Sequence, residues 1–264
     1  MIPAARAHAI AAALAALRTD GVGVVADVLS DAEVIRARAA LLAAAAESER
    51  RGLPTFMPVL DPNAASVRVF NLLDMDDVFR ELIVHPVALH IARELLGEHI
   101  SISNFTANIA RPGSRSMALH SDQALVVPEP WLAPWSMNII WCLDDVYLEN
   151  GATLYLPGSQ RCTSRDSLPA EPRAHMQPMI AARGSIVAMD GRVWHTSGAN
   201  VSEHVERALL FGYYCVDFLR PQTNWNVTLS SATRSQLSAE LNELLGLGPA
   251  GNTRVAGEVL GARL

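Results

Sequence analysis

Three residues of this chain have the chemistry to share one metal ion: His120 and Asp122, two apart, and the distant His195. Two imidazoles and one carboxylate make the facial triad that holds non-haem Fe(II) and leaves positions open on the far side. By ligand type alone, manganese or zinc would also be accepted. On an extended strand, residues two apart point the same way, so His120 and Asp122 can reach one ion. The pattern H-x-D is common by chance, and taken alone it is explained at least as well by a satisfied surface pair. His195 raises its weight, because it follows an apolar strand, Ile186 to Met189, and a turn at Gly191. The other histidines, among them His8, His85, His90, His99, His175 and His204, have no comparable carboxylate partner and suit solvated or capping positions.

Arg207 opens the run Arg207-Ala208-Leu209-Leu210-Phe211-Gly212-Tyr213-Tyr214. Alternation puts it on one face with Leu209, Phe211 and Tyr213, on a strand that reads as buried. A buried guanidinium without a partner is costly. A ligand carboxylate gripped by the arginine fork would remove that cost. An edge position, with Arg207 paired to Glu203 or Glu206, is the competing explanation.

Composition narrows the classes. The 264 residues are 50% hydrophobic, enough for a large core and against disorder. The net charge of −6 and the lack of any basic stretch argue against nucleic acid as a partner. Every basic side chain is Arg, with no Lys, which fits a GC-rich coding sequence. Cys142, Cys162 and Cys215 form no CxxC, against a disulfide framework or zinc ribbon, so buried reduced thiols in the cytoplasm are expected. The Ala-rich run from Ala9 to Leu17 is too short to span a membrane and reads as a helix packed on the domain.

The elements that must position these residues change character along the chain. Residues 4–18 read as a helix and 21–25 as a short strand. Ser30-Asp31-Ala32-Glu33 is a capping box opening a helix to about Glu49. Residues 51–67, with Pro54, Pro58 and Pro62, read as irregular; 76–96 reads as a helix broken at Pro86 and stopped at Gly97. Strand patterns follow at 100–110, 119–127, 137–143, 152–156, 186–189 and 208–216. In the first, Asn104, Thr106 and Asn108 share one face. A polar loop covers 160–182 and a last helix 235–245. Helices first and short strands after them predict one α+β domain over 1–264, with an antiparallel β-sandwich or barrel at its centre.

Several blocks together resemble the phytanoyl-CoA dioxygenase family of Fe(II)/2-oxoglutarate oxygenases. His120-Ser121-Asp122-Gln123 is similar to its proximal metal motif. Leu143-Asp144-Asp145 and the run from Glu149 through Pro157-Gly158-Ser159-Gln160 resemble its most distinctive block, with Gln160 where the family usually has His. Trp194-His195-Thr196-Ser197-Gly198-Ala199-Asn200 and Arg207-Ala208-Leu209 resemble the distal motif. The likeness runs over residues 19–245.

The resemblance implies a double-stranded β-helix (jelly roll) with flanking N-terminal helices. It implies Fe(II) on His120, Asp122 and His195, and the far carboxylate of 2-oxoglutarate on Arg207. Thr153, Ser197 and, more weakly, Asn108 stand where further co-substrate contacts are made. The implied chemistry uses O2 to convert 2-oxoglutarate to succinate while oxidising an unactivated C–H. Related halogenases carry a small residue in place of the carboxylate, so Asp122 favours hydroxylation or another oxidation. The expected substrate is a small, largely apolar natural product; an acyl-CoA or an amino acid is the alternative within the family. A zinc hydrolase and a non-catalytic jelly-roll binding protein are the alternatives outside it. The oligomeric state is open. Loops rich in large apolar residues and Pro suit a lid over an apolar pocket: Leu53 to Phe70 with Phe56, Met57, Val59 and Leu60, then Trp131 to Trp135, then Arg220 to Trp225.

Overall fold

A computed structural model describes residues 4–58, 61–248, 254–255 and 258–259. Val59 and Leu60, expected in the pocket wall, lie outside the described residues. The N-terminal part is helical: α1 (Ala4–Asp20), α2 (Asp31–Arg50), α3 (Leu72–Met75), α4 (Asp77–Ile83) and α5 (Pro86–Leu96), interrupted by strands β1 (Val22–Val25) and β2 (Ser66–Val69). The Ser30 hydroxyl accepts from the Glu33 amide while the Glu33 carboxylate reaches back to the Ser30 amide, so α2 starts at the capping box. Pro86 sits in the first turn of α5, and the His85 side chain caps it by accepting from Val87 N–H. Gly97 ends α5 with φ +95°, a conformation that favours glycine.

The strands β3 (Ile100–Ala110), β5 (Ser136–Cys142), β8 (Ile186–Asp190) and β10 (Arg207–Val216) join β1 and β2 in a six-stranded antiparallel sheet, ordered β1-β8-β5-β10-β3-β2. A four-stranded sheet, β4 (His120–Ser121), β9 (Trp194–Thr196), β6 (Leu154–Tyr155) and β7 (Gln177–Pro178), faces it. The result is the jelly roll with outer helices. One short hairpin, β11 (Arg254–Val255) with β12 (Glu258–Val259), follows near the C-terminus.

Two apolar layers hold this together. On the outer face of the large sheet, Phe105, Ile139, Trp141, Ile186 and Leu210 pack under the helices. Between the sheets, Val22, Ile140, Val187, Met189 and Leu209 meet Ala152, Met179 and Val193. Every residue of β5 is therefore buried, although its side chains alternate between faces. Helix α1 lies directly on β1: a side chain at Gly23 would come within 2.1 Å of the Ala13 carbonyl. Gln160 belongs to the same junction, since its amide donates to Arg18 and Thr19 carbonyls at the end of α1. The residue that departs from the family pattern thus serves to seat a helix.

Several expected boundaries moved. Residues 119–127 form only a two-residue strand, followed by a 3-10 turn at Gln123–Leu125. The helix expected over 235–245 starts later, as α8 (Ala239–Leu244), and is preceded by two short helices, α6 (Trp225–Thr228) and α7 (Ser231–Arg234). The Ser238 side chain accepts from the Leu241 amide and so sets the start of α8. Among the described residues no helix is long and apolar enough to cross a membrane. The three cysteines are unpaired.

Trp225 does not join a lid. It is buried in the helix-side layer, and its indole N–H donates to the Ile102 carbonyl. Trp225→Ala should lower unfolding stability by about 3–5 kcal/mol, as measured by urea denaturation, with divalent-metal binding by the folded fraction unchanged.

Candidate metal centre

Strand β4 pairs with β9 so that His120 and His195 are direct cross-strand partners, their ring centroids 4.3 Å apart. Each ring is oriented the same way. Nδ1 of His120 lies 2.8 Å from the Ala118 carbonyl, and Nδ1 of His195 lies 3.0 Å from the Val193 carbonyl. A carbonyl only accepts, so both Nδ1 atoms carry the proton and both Nε2 lone pairs are free to ligate. Burial is the largest influence on His195 and pushes it below the ordinary imidazole range, against the opposing pull of Asp122. Its neutral, ligating form is favoured.

Asp122 reaches the same point differently from the strand alternation that was expected. It has already left β4, with helical backbone angles of φ −67° and ψ −33°. Its Oδ1 lies 3.6 Å from His120 Nε2 and 3.7 Å from His195 Nε2. One ligand atom from each of the three residues falls within 4.8 Å of the others, the spacing of a single-ion site. Gly191 makes this turn possible. Its carbonyl accepts from Ser121 Oγ and Gln123 N, and a side chain there would run into Ser136. The Tyr213 hydroxyl donates to the Asp122 carbonyl at 3.1 Å, and Asn138 Nδ2 to Asp122 Oδ2 at 2.5 Å.

Arg207 stands on the inner face of the large sheet, two residues along β10 from Leu209 and six from Tyr213. It is 1% exposed. One nitrogen donates to the Gly151 carbonyl at 3.0 Å; Nε is buried with no partner. The acidic partners considered from sequence are engaged elsewhere: Glu206 pairs with Arg111 and Glu203 with His204. Asp144 divides its oxygens between Arg38 and the Ala208 amide. Burial pulls the Arg207 guanidinium down to about 10, even with Cys142 and Asp144 acting in the opposite direction.

The motif glycines shape the cradle around Arg207. Gly151 has φ +89°, and a side chain at Gly198 would meet the Ala152 carbonyl at 2.2 Å, so two loops close against each other there. Asn150 and Asn200 tie these loops to their surroundings through backbone hydrogen bonds. A buried cation with an unpartnered N–H, and no acidic neighbour left free among the described residues, fits the carboxylate of a small ligand.

The remaining expected residues fall in several places. Thr153, buried, precedes β6, and its hydroxyl bonds to no other described residue. The Ser197 hydroxyl accepts from the Met117 amide, three residues before His120, and so helps dock β4 on β9. Asn108 shares the inner face with Leu209, but its amide donates to Ser66 Oγ. Phe56 and Met57 are half-buried; Met57 is fastened by reciprocal hydrogen bonds with Asp61, which binds Arg68 of β2. Trp135 is half-buried with its ring edge-on to Phe218 at 5.0 Å, and its amide donates to Gln123. The face that meets the triad is not apolar throughout: Asn104 and Thr106 are half-exposed there beside Phe211. Asn138, Tyr213 and Gln123 were not recognised from sequence as supports of the site. A lone Asn inside the apolar run Met137 to Leu143 was the available signal.

Comparison with known proteins settles the family. Residues 17–208 match the model for phytanoyl-CoA dioxygenase (PhyH). This chain belongs to the phytanoyl-CoA dioxygenase family. It is 51% identical to dioxygenase af480 of Aspergillus fumigatus over 83% of this chain and 71% of that protein. Its fold is shared with two solved structures from nogalamycin biosynthesis, both described as non-haem and α-ketoglutarate-dependent. The carbocyclase SnoK has a TM-score of 0.64 and 21% identity, covering 86% of this chain and 90% of that one. The epimerase SnoN has a TM-score of 0.65 and 22% identity, covering 97% and 95%. The protein is a dioxygenase on a jelly roll, and His120, Asp122 and His195 form a cluster that could hold its iron.

Asp122→Ala should remove the shared Oδ1 and abolish stoichiometric Mn(II) binding, read by electron paramagnetic resonance, while circular dichroism stays unchanged. Retention of one tightly bound ion would mean that the carboxylate is not a ligand.

Proposed function

We propose that this dioxygenase uses Fe(II) and 2-oxoglutarate to hydroxylate or otherwise oxidise an unactivated C–H of a small natural product. The observation that carries the reading is Arg207, a buried cation with an unpartnered Nε on the sheet face opposite the triad. A hydrolytic zinc centre leaves this group unexplained unless its substrate also carries a carboxylate. A binding module has no reason to keep it beside three convergent ligand atoms.

His120, Asp122 and His195 would hold the iron through two Nε2 atoms and one carboxylate oxygen. Bound together, the metal and the keto acid supply O2 activation coupled to loss of CO2 and formation of succinate. Arg207 would anchor the far carboxylate, with the Thr153 hydroxyl as a further donor. Ser197 and Asn108 would contribute through the strand contacts they already make, and through their remaining hydrogen-bonding capacity. Val22, Ile140 and Leu209 keep water from behind the site.

Phe211, Asn104 and Thr106 line the accessible face and fit a substrate that is mostly apolar with some oxygen function. Phe56, Met57 and Trp135 stand as half-buried candidates for its outer wall. The natural-product assignment is supported by the nogalamycin enzymes that share the fold.

Two measurements test this reading. Under anaerobic conditions Fe(II) and 2-oxoglutarate should give a visible charge-transfer band. Arg207→Ala should raise the 2-oxoglutarate concentration needed for it on the order of 10- to 100-fold, since hydrogen bonds to charged groups contribute about 1.5–3 kcal/mol. An unchanged titration would place the carboxylate elsewhere. In air, a panel of terpenoid and polyketide compounds should contain one that accelerates succinate formation and gains mass; acceleration only by acyl-CoAs or amino acids would overturn the substrate class.

A further inference from the structure

We propose that Asn138 is a positioning residue that makes Asp122 bind metal through one oxygen only. This rests on the triad being the metal centre. The two oxygens of Asp122 have divided roles. Oδ1 lies between the two histidine Nε2 atoms at 3.6 and 3.7 Å. Oδ2 is turned away, 2.5 Å from Asn138 Nδ2. With the outer oxygen tied down, the carboxylate cannot rotate to present both oxygens to one ion.

The division matters because of how many positions the reaction needs. A six-coordinate ion held by three protein atoms keeps about three positions, enough for a chelating keto acid and O2. A carboxylate gripping through both oxygens would remove one of them.

Asn138 is well placed for this task. It lies on β5, the strand buried along its whole length, between Met189 of β8 and Tyr213 of β10. Strands on both sides fix its backbone. The amide is a neutral donor: it can hold Oδ2 without competing for the metal or cancelling the carboxylate charge, as an arginine would. Tyr213 holds the Asp122 carbonyl, and the Gly191 carbonyl holds Ser121 Oγ before Asp122 and the Gln123 amide after it, so the rotation of the carboxylate is left to Asn138.

The amide also carries a cost. Asn138 is 7% exposed, and its Oδ1 is buried with no hydrogen-bond partner. A buried acceptor without a donor is unfavourable, and Val or Ile at this strand position would avoid it. Electrostatics fixes the orientation of the amide, since turning it over would set its carbonyl against a carboxylate. The group is explained by what Nδ2 does for Asp122.

The test uses the full chain loaded with Mn(II). Isothermal titration gives affinity, and water-proton relaxation gives the number of inner-sphere waters. Asn138→Leu removes the donor at nearly constant volume; Asn138→Ala is the second variant should the leucine disturb folding, which thermal melting of the metal-free protein checks. Both should bind Mn(II) on the order of 10- to 100-fold more weakly and fall from roughly three inner-sphere waters to roughly two. Unchanged affinity and water number in a folded variant would overturn the proposal, as would weaker binding with the water number unchanged. If the wild-type protein itself bound no Mn(II), the failure would lie with the metal centre and not with Asn138.

Discussion

The structure is organised around a cation that the protein buries without pairing. Taking a guanidinium out of water costs several kcal/mol unless an opposite charge comes with it. Here the nearby acids are held by other groups: Asp144 by Arg38, Glu206 by Arg111. Arg207 is left with one backbone carbonyl and a bare Nε. Arg207 pairs with Ala110 of β3 at the start of β10, and the ladder with β5 begins two residues later, which keeps the strand and its inner face in place. A ligand carboxylate would restore the balance; beside Arg207, the loops at Gly151 and Gly198 pack directly against each other.

The triad imposes a second demand, convergence from separate elements. Two histidines meet because β4 and β9 pair in register. The aspartate meets them because the chain turns immediately after Ser121, on a peptide fixed by Gly191. None of these contacts is strong alone. Their precision comes from the packed layer between the sheets and from the hydrogen bonds of Asn138 and Tyr213, which hold Asp122 from behind. The three ligand atoms are thus held from behind, and the half-exposed side chains of Asn104, Thr106 and Phe211 lie on the facing sheet.

Much of this was legible in the sequence, for physical reasons. The capping box at Ser30, the break at Pro86 and the alternation of Ile100 to Ala110 are local signals, and each produced the expected element. Arg207 was legible because its apolar neighbours forced it inward. Other features depend on contacts that no local pattern encodes. The strand after His120 stops at Ser121 because Gln123 is recruited by Gly191 and the 133–135 loop. The C-terminal helix starts at Ser238 rather than Ser235 because the Ser238 side chain caps it. Trp225 resembled a pocket residue because its neighbours are Pro and polar residues; it packs instead on the helix side through a hydrogen bond to Ile102. The support given by Asn138 is a cross-strand relation, visible only once β4 and β5 face each other.

The most direct measurement is anomalous diffraction at the iron edge from crystals grown anaerobically with Fe(II) and 2-oxoglutarate. The account predicts a single iron bonded to His120 Nε2, His195 Nε2 and Asp122 Oδ1, with the far carboxylate of 2-oxoglutarate on the Arg207 guanidinium. Iron at another position, or an Arg207 still without a carboxylate partner when the keto acid is bound, would contradict it.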